Sequence, residues 1–222
     1  MYFHSLDNYQ KIQSQLEKGL SALKIEVNLS QIEKLMEFIA LLHKWNKTYN
    51  LTAIRDLTEM VSHHLLDSLI AKQFLENTSI DVSTVIDVGT GPGIPGIPLA
   101  ILMPNTKFTL VDSKKKKLKF VQHVRSRLQL ANIEIIGARV EDLNDDRKFQ
   151  VVLSRAFSSL TNFVTLCGRL CKPEGMLLAY KGEPENIDLA GCFEDQFSID
   201  KIEEVIVPTL NKRRCLVFVK KS

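Results

Sequence analysis

The 222-residue chain has no run of about 18 apolar residues, the length a helix needs to cross a bilayer, so nothing in it is expected to span a membrane. Its first residues, Met1 to Asp7, lack the basic region, apolar stretch and small-residue cleavage site of a secretory signal, which predicts a cytoplasmic protein. Cysteine is scarce. Cys167, Cys171, Cys192 and Cys215 form no C-x-x-C pair, and no histidine cluster has zinc-ligand spacing, so free thiols in a reducing compartment and no metal centre are expected. Repeats and low-complexity segments are absent. A net charge of +3 is too small to identify a partner, which leaves that question to the distribution of charge. What remains is ordinary globular composition, 45% hydrophobic and 25% charged, in a chain long enough for one full core and a small appended domain.

Two textures divide the chain. Up to about residue 78 it reads as helix: Tyr9, Ile12, Leu16, Leu20 and Leu23 fall at steps of three and four and paint one stripe. Ser30 with Glu33 makes a capping box ahead of Ile32, Leu35, Met36, Ile39 and Leu42. A third helix is expected from about Asp56 through Met60, Val61, Leu65 and Leu69. From Thr84 short β-branched runs alternate with helical patterns, the signature of βαβ units. Strands are predicted near 84–88, 107–112, 133–137, 150–154, 175–180, 202–207 and 214–219. Only a short polar connection, Pro208 to Arg213, separates the last two, which predicts an antiparallel hairpin. The expected architecture is α/β: an N-terminal helical subdomain over 1–78, then a doubly wound, Rossmann-like sheet of seven strands over 79–222.

The first strand, Val85-Ile86-Asp87-Val88, ends in Gly89-Thr90-Gly91-Pro92-Gly93 and leads to a helix near Pro95. Such a turn lets backbone approach a nucleotide closely. The next strand ends at Asp112, about 20 residues beyond the glycines, where a carboxylate can take both hydroxyls of a ribose. Strand, loop, helix, strand and acid in that order point to an adenosine-containing cofactor. Gly91-x-Gly93-x-x-Gly96 also matches the dinucleotide fingerprint. A pyrophosphate needs backbone N–H donors, however, and Pro92, Pro95 and Pro98 have none. This favours S-adenosylmethionine (SAM), which carries no phosphate, over a nicotinamide dinucleotide.

Ligands of open α/β sheets sit beyond the carboxyl ends of the strands. After the third strand stand Arg139, Val140 and Glu141, placed to hold an adenine edge or to make a solvated turn. After the fourth comes Ser154-Arg155-Ala156-Phe157, which is neither an Asp/Asn-Pro-Pro-aromatic tetrad for an exocyclic amine nor a Pro-Cys nucleophile for a base carbon. A ring nitrogen or an oxygen is therefore the expected acceptor, with Phe157 placed to grip an unstacked base. The fifth strand ends in Tyr180-Lys181-Gly182, which sets Lys181 beside Arg155; both are either substrate-binding cations or salt-bridge partners. Between Lys107 and Arg127 lie eight Lys or Arg and one acid. Lys114 to Lys117 open a helix there, against its macrodipole, as either a solvated face or a contact for an RNA backbone.

Three segments, Trp45-Asn46-Lys47-Thr48-Tyr49-Asn50-Leu51-Thr52, His64-Leu65-Leu66-Asp67-Ser68 and Ile86 through Leu99, resemble the ribosomal small-subunit methyltransferase G family. Ser154-Arg155-Ala156-Phe157 and Lys181-Gly182 match it too, so the resemblance covers most of the chain; Ile94 stands where the family often has Leu. The resemblance implies methyl transfer from SAM, leaving S-adenosylhomocysteine, to N7 of one guanine in 16S ribosomal RNA, free or within the small ribosomal subunit. It also implies a SAM site lined by Gly89, Ile94, Val140, Glu141 and Arg155. By the same resemblance Asn50, His64, Asp87, Arg139 and Lys181 are candidates for RNA or catalytic-pocket roles, as positioning groups rather than general bases. Asp87, Gly91, Gly93 and Asp112 complete the expected cofactor set, and a monomer is expected. The rival readings are a small-molecule SAM methyltransferase, a nicotinamide oxidoreductase, and an RNA-binding module without chemistry.

Overall fold

In the computed structural model, which describes residues 6–143, 146–157, 159–182, 196–210 and 212–221, the periodicity of the N-terminal third becomes helix. α1 (Leu6–Ala22) turns Ile12, Leu16 and Leu20 inward, and α2 (Leu29–Tyr49) buries Ile32, Leu35, Met36, Ile39 and Leu42. The capping box of α2 is not Ser30 with Glu33 but Asn28 with Gln31. Asn28 is extended (φ −91°, ψ 168°); its side chain accepts from Gln31 N–H at 2.9 Å, and the Gln31 side chain accepts from Asn28 N–H at 3.0 Å. Asn caps as well as Ser does, and the earlier cap lengthens the helix. Asp56 caps the third stretch through Glu59 N–H at 2.9 Å, giving α3 (Leu57–Met60). The chain then widens into a π turn (Val61–Leu66) before α4 (Asp67–Leu69) and α5 (Lys72–Glu76). In the wider turn the carbonyls of His63 and His64 accept from side chains, Arg155 and Ser68 respectively.

All seven expected strands form: β1 (Thr84–Val88), β2 (Lys107–Val111), β3 (Ile133–Ile136), β4 (Phe149–Ser154), β5 (Cys171–Lys181), β6 (Phe197–Val207) and β7 (Lys212–Lys221). Their order in the sheet is β3-β2-β1-β4-β5-β7-β6. The first five are parallel, and β7 runs antiparallel between β5 and β6, so the final hairpin is as expected. The crossovers after β1, β2 and β4 carry α6 (Gly96–Leu102), α7 (Lys115–Arg127) and α8 (Leu160–Cys167).

Alternation along the strands sorts the core into two layers. Val85, Leu110, Val151, Leu153, Leu178 and Phe218 face one cluster, shared with Leu16, Leu35, Leu65 and the α7 residues Phe120 and Val124. Ile86, Val88, Val152, Leu177, Val217 and Val219 face the other, against Leu160, Phe163 and Val164 of α8. The helices before residue 78 thus share a core with one face of the sheet. Cys167 and Cys171 are buried free thiols, and burial pushes Cys167 up to about 12 and Cys171 to about 11; Cys215 is buried too, and Cys192 lies outside the described residues. Among the described residues no helix is long and apolar enough to cross a membrane.

Candidate active site

From β1 the chain crosses to β2 on one side, while β4 lies on the other, so a crevice opens where these strands end. The loop leaving β1 carries positive φ at Gly89, Gly91 and Gly93 (74°, 60° and 85°). At Gly89 a Cβ would also stand 2.7 Å from Cβ of Ala156, so glycine is required there twice over. Asp87 lies beneath the loop, fully buried. Its Oδ2 accepts from the Thr90 hydroxyl at 2.7 Å and from Gly96 N–H at 2.9 Å, while Oδ1 has no partner. Burial raises this carboxyl to about 6, against the pull of those two hydrogen bonds.

The same loop answers the dinucleotide question. Gly89 and Thr90 N–H donate to Val111 O, Gly93 and Ile94 N–H to Thr90 O, and Ile97 N–H to Gly93 O. Gly91 N–H donates to Asp112 and Gly96 N–H to Asp87. Each of these groups is satisfied internally, so beyond the missing proline donors these N–H groups are also unavailable to a pyrophosphate.

Against the loop lies a cleft of about 390 Å³, lined by Gly89, Asp112, Lys114, Lys117, Arg139, Val140, Glu141, Ala156 and Phe157 among others. Asp112 anchors its floor by accepting Gly91 N–H at 2.9 Å and Lys114 N–H at 2.7 Å, one on each oxygen. Each carboxylate oxygen keeps a second lone pair for a ribose hydroxyl. The short 3₁₀ turn Val140–Asp142 forms another wall. Arg169 holds it from behind, donating to the carbonyls of Val140 and Leu143. A cradle that a Cβ at Gly89 would fill, an anchored carboxylate and a mixed polar and apolar wall fit the adenosine half of SAM.

A second cavity, of about 380 Å³, is lined by Ile54, His63, His64, Asp67, Arg155, Tyr180, Lys181, Gly182 and Arg214. The two adjoin along the chain, because Arg155 lines one and Ala156 the other. Lys181 ties them together by donating to Phe157 O at 2.9 Å. Asp67, only 4% exposed, takes Arg155 on Oδ2 at 2.9 Å and Arg214 on Oδ1 at 2.8 Å. Arg155 also donates to His63 O at 3.1 Å, and the buried Tyr180 hydroxyl donates to Ser68 O at 2.9 Å. His64 Nε2 lies 2.8 Å from Thr52 Oγ1, and its Nδ1 is buried without a partner. Burial first, and the Arg155 charge second, depress His64 to about 3, so the ring is neutral at working pH. Burial also lowers the Lys181 ammonium. Among the described residues that line it, three cations face one carboxylate.

The expected residues fall into three groups. Gly89, Asp112, Val140 and Glu141 line the first cleft, and Arg139 joins them there. Arg155, Lys181 and His64 line the second cavity. Asp87, Gly91, Gly93 and Ile94 are buried within or below the loop, and Asn50 is exposed at the end of α2, accepting from Arg55 at 3.3 Å. Asp67, Arg214, Tyr180 and Arg169 had not been expected. For Asp67 a signal exists, a carboxylate inside the apolar run Leu65-Leu66-Asp67-Ser68-Leu69-Ile70.

Residues 31–217 match the family model described as rRNA small subunit methyltransferase G. The chain is 44% identical over 191 residues to the ribosomal RNA small subunit methyltransferase G of Histophilus somni strain 2336, covering 86% of this chain and 87% of that one. It is 43% identical over 214 residues to the protein of the same name from Legionella pneumophila strain Philadelphia 1, covering 96% and 97%. Among solved structures it is similar in fold to TrmN from Thermus thermophilus (TM-score 0.57, 16% identity, 73% of this chain and 53% of that one). A second is the 1,6-didemethyltoxoflavin-N1-methyltransferase of Burkholderia thailandensis, solved with S-adenosylhomocysteine (TM-score 0.55, 14% identity, 84% and 89%).

Proposed function

Because the chain belongs to the ribosomal RNA small subunit methyltransferase G family, we propose that it moves a methyl group from SAM to N7 of one guanine in small-subunit ribosomal RNA. The donor lies in the cleft at Gly89, Asp112 and Val140, and the guanine in the cavity of His64, Arg155 and Lys181. The observation that carries this assignment is that consecutive residues just past the end of β4 line the two cavities, Arg155 the one and Ala156 the other.

SAM supplies a methyl group on a positively charged sulfur. Guanine N7 presents an in-plane lone pair and no proton, so the chain needs no general base, and neutral His64 is suited to a hydrogen-bonding role only. What the residues contribute is alignment. Asp112 fixes the loop and the start of α7 in one carboxylate, and Arg169 fixes the Val140 wall. Positive charge develops on the base during transfer, so Arg155, Arg214 and Lys181 belong against guanine O6 and the flanking phosphates, not against N7. Asp67 holds two of these cations apart from the ring position. The protein acts in the cytoplasm as a monomer, on free RNA or on the small-subunit particle.

Calorimetric titration with SAM, S-adenosylhomocysteine and NADH tests the donor, and transfer of labelled methyl to small-subunit RNA, free and in particles, tests the acceptor. Binding of the first two ligands but not NADH, with label in RNA, is the expected result. SAM binding without label in either RNA would move the acceptor to a small molecule.

A further inference from the structure

We propose that Tyr49, with the lysines at the start of α7, forms a stacking platform on the rim of the site for an unpaired nucleotide flanking the target guanine. The inference rests on the RNA reading above. Tyr49 is the last residue of α2 and is 40% exposed, one of four large apolar or aromatic side chains so exposed among the described residues. Its ring is braced from within: Trp45 lies 5.1 Å away between centroids, and Trp45 itself packs on His123 at 5.1 Å and Phe120 at 5.6 Å. A braced, exposed ring has already lost its rotamer freedom, so stacking on it costs little further ordering. Lys116 Nζ stands over the Tyr49 ring, 5.5 Å from its centroid, on an exposed side chain that an incoming base displaces toward its own phosphate.

The start of α7, which reaches the ring through Lys116, carries charge of one sign. Lys114, which precedes α7, and Lys115, Lys116 and Lys119 on it are exposed, its first turn holds no acid, and Lys47 is exposed two residues before Tyr49. Among the described residues none of Lys114, Lys115, Lys116, Lys117 or Lys119 is in an ion pair. Five cations crowded at the positive end of a helix dipole, none neutralised by a carboxylate, fit a polyanion that covers them. An aromatic face interleaved with lysines is the arrangement that takes a single strand, the ring meeting a base and the ammonium groups meeting phosphates.

The platform adjoins both cavities. Lys114 and Lys117 line the donor cleft. Tyr49 is three residues from Thr52, at most about 11 Å of chain, and Thr52 contacts His64 in the acceptor cavity at 2.8 Å. The Asn46 side chain pins that short link, donating to Ile54 O at 2.8 Å and accepting from Thr52 N–H at 2.9 Å. A base stacked on Tyr49 is therefore held at fixed reach from the pocket that takes its neighbour.

Tyr49→Leu keeps apolar bulk and removes the π face, whereas Tyr49→Phe keeps the face. In steady-state methylation of small-subunit RNA, Tyr49→Leu should raise KM for RNA about tenfold, with kcat within about twofold and SAM affinity unchanged, and Tyr49→Phe should match the wild type. Lys116→Gln should flatten the slope of log K against log salt by about 0.7. Trp45 is the only tryptophan, so its emission gives a readout in the unaltered protein: six-residue oligo(A) should change it saturably. A wild-type KM in Tyr49→Leu overturns the platform alone, as does a Tyr49→Phe as impaired as Tyr49→Leu, or an unresponsive Trp45. A wild-type chain that neither binds nor methylates RNA overturns the functional reading and the platform with it.

Discussion

Asp67 is the joint on which the acceptor cavity depends, and Asp67→Asn removes its charge with almost no change in volume. Arg155 from the end of β4 and Arg214 from β7 each lose a charged partner, at 2.9 Å and 2.8 Å. Taking one member from a buried ion pair costs about 3–5 kcal/mol. The side chain of Asp67 is 5% exposed, but those of the arginines are 28% and 22% exposed, and water reaching them reduces the expected loss to about 2–3 kcal/mol. For a chain of this size that lowers Tm by about 4–12 °C. The guanidinium groups then repel each other and drift from their set positions, and angstrom-scale misplacement lowers turnover about 10²-fold. SAM affinity should hold, because Arg155, Arg214 and Asp67 do not line the donor cleft. The assay is urea and thermal melting beside RNA methylation, with Asp67→Asn/Arg214→Met as the second corner of a mutant cycle. The double variant should recover part of the lost stability, since one unpaired cation is gone. An Asp67→Asn protein that melts and turns over like the wild type would refute the reasoning.

Gly89→Ala combines a left-handed backbone, about 1–2 kcal/mol of strain, with a Cβ 2.7 Å from that of Ala156, and should weaken SAM binding more than tenfold by calorimetry; unchanged affinity would show that the loop does not touch the donor. Asp87 titrates at about 6 in the fold, above its ordinary 3.8, so the native state holds the proton longer than the unfolded one. Its stabilising effect is full below about pH 4 and is lost as pH rises through 6, and urea melts of wild type and Asp87→Asn should differ by a pH-dependent amount only within that window. A difference independent of pH would contradict the burial argument. Lys181→Ala should cut turnover at least tenfold while SAM affinity survives, and equal loss of both would take Lys181 off the RNA side.

What the sequence made legible was whatever local pattern determines. The β-branched runs gave all seven strands, and the glycines followed by Asp112 pointed to the cleft that Gly89 and Asp112 line, because a close-approach turn and an acid at the next strand end leave a mark within some 20 residues. The capping box at Ser30 went wrong because two overlapping boxes satisfy the same spacing, and only the cost of starting the helix late separates them. The acceptor cavity was half legible. Arg155 and Lys181 stand at strand ends and could be found by topology. Asp67 joins Arg155 across 88 residues and Arg214 across 147, and Tyr180 reaches Ser68 across 112, so those partnerships exist only after the helices pack on the sheet. A carboxylate within an apolar run did announce that some partner was needed, without saying which.

The central claim is that the adjoining cavities deliver a methyl group to N7 of one guanine, and borohydride–aniline treatment of the reacted RNA tests it most directly, since that chemistry cuts the chain at N7-methylated guanine. Small-subunit RNA incubated with the protein and SAM should acquire one new cleavage site, absent without SAM and greatly weakened with Lys181→Ala. Methyl label in the RNA with no new cleavage would place the methyl on another atom and contradict the account.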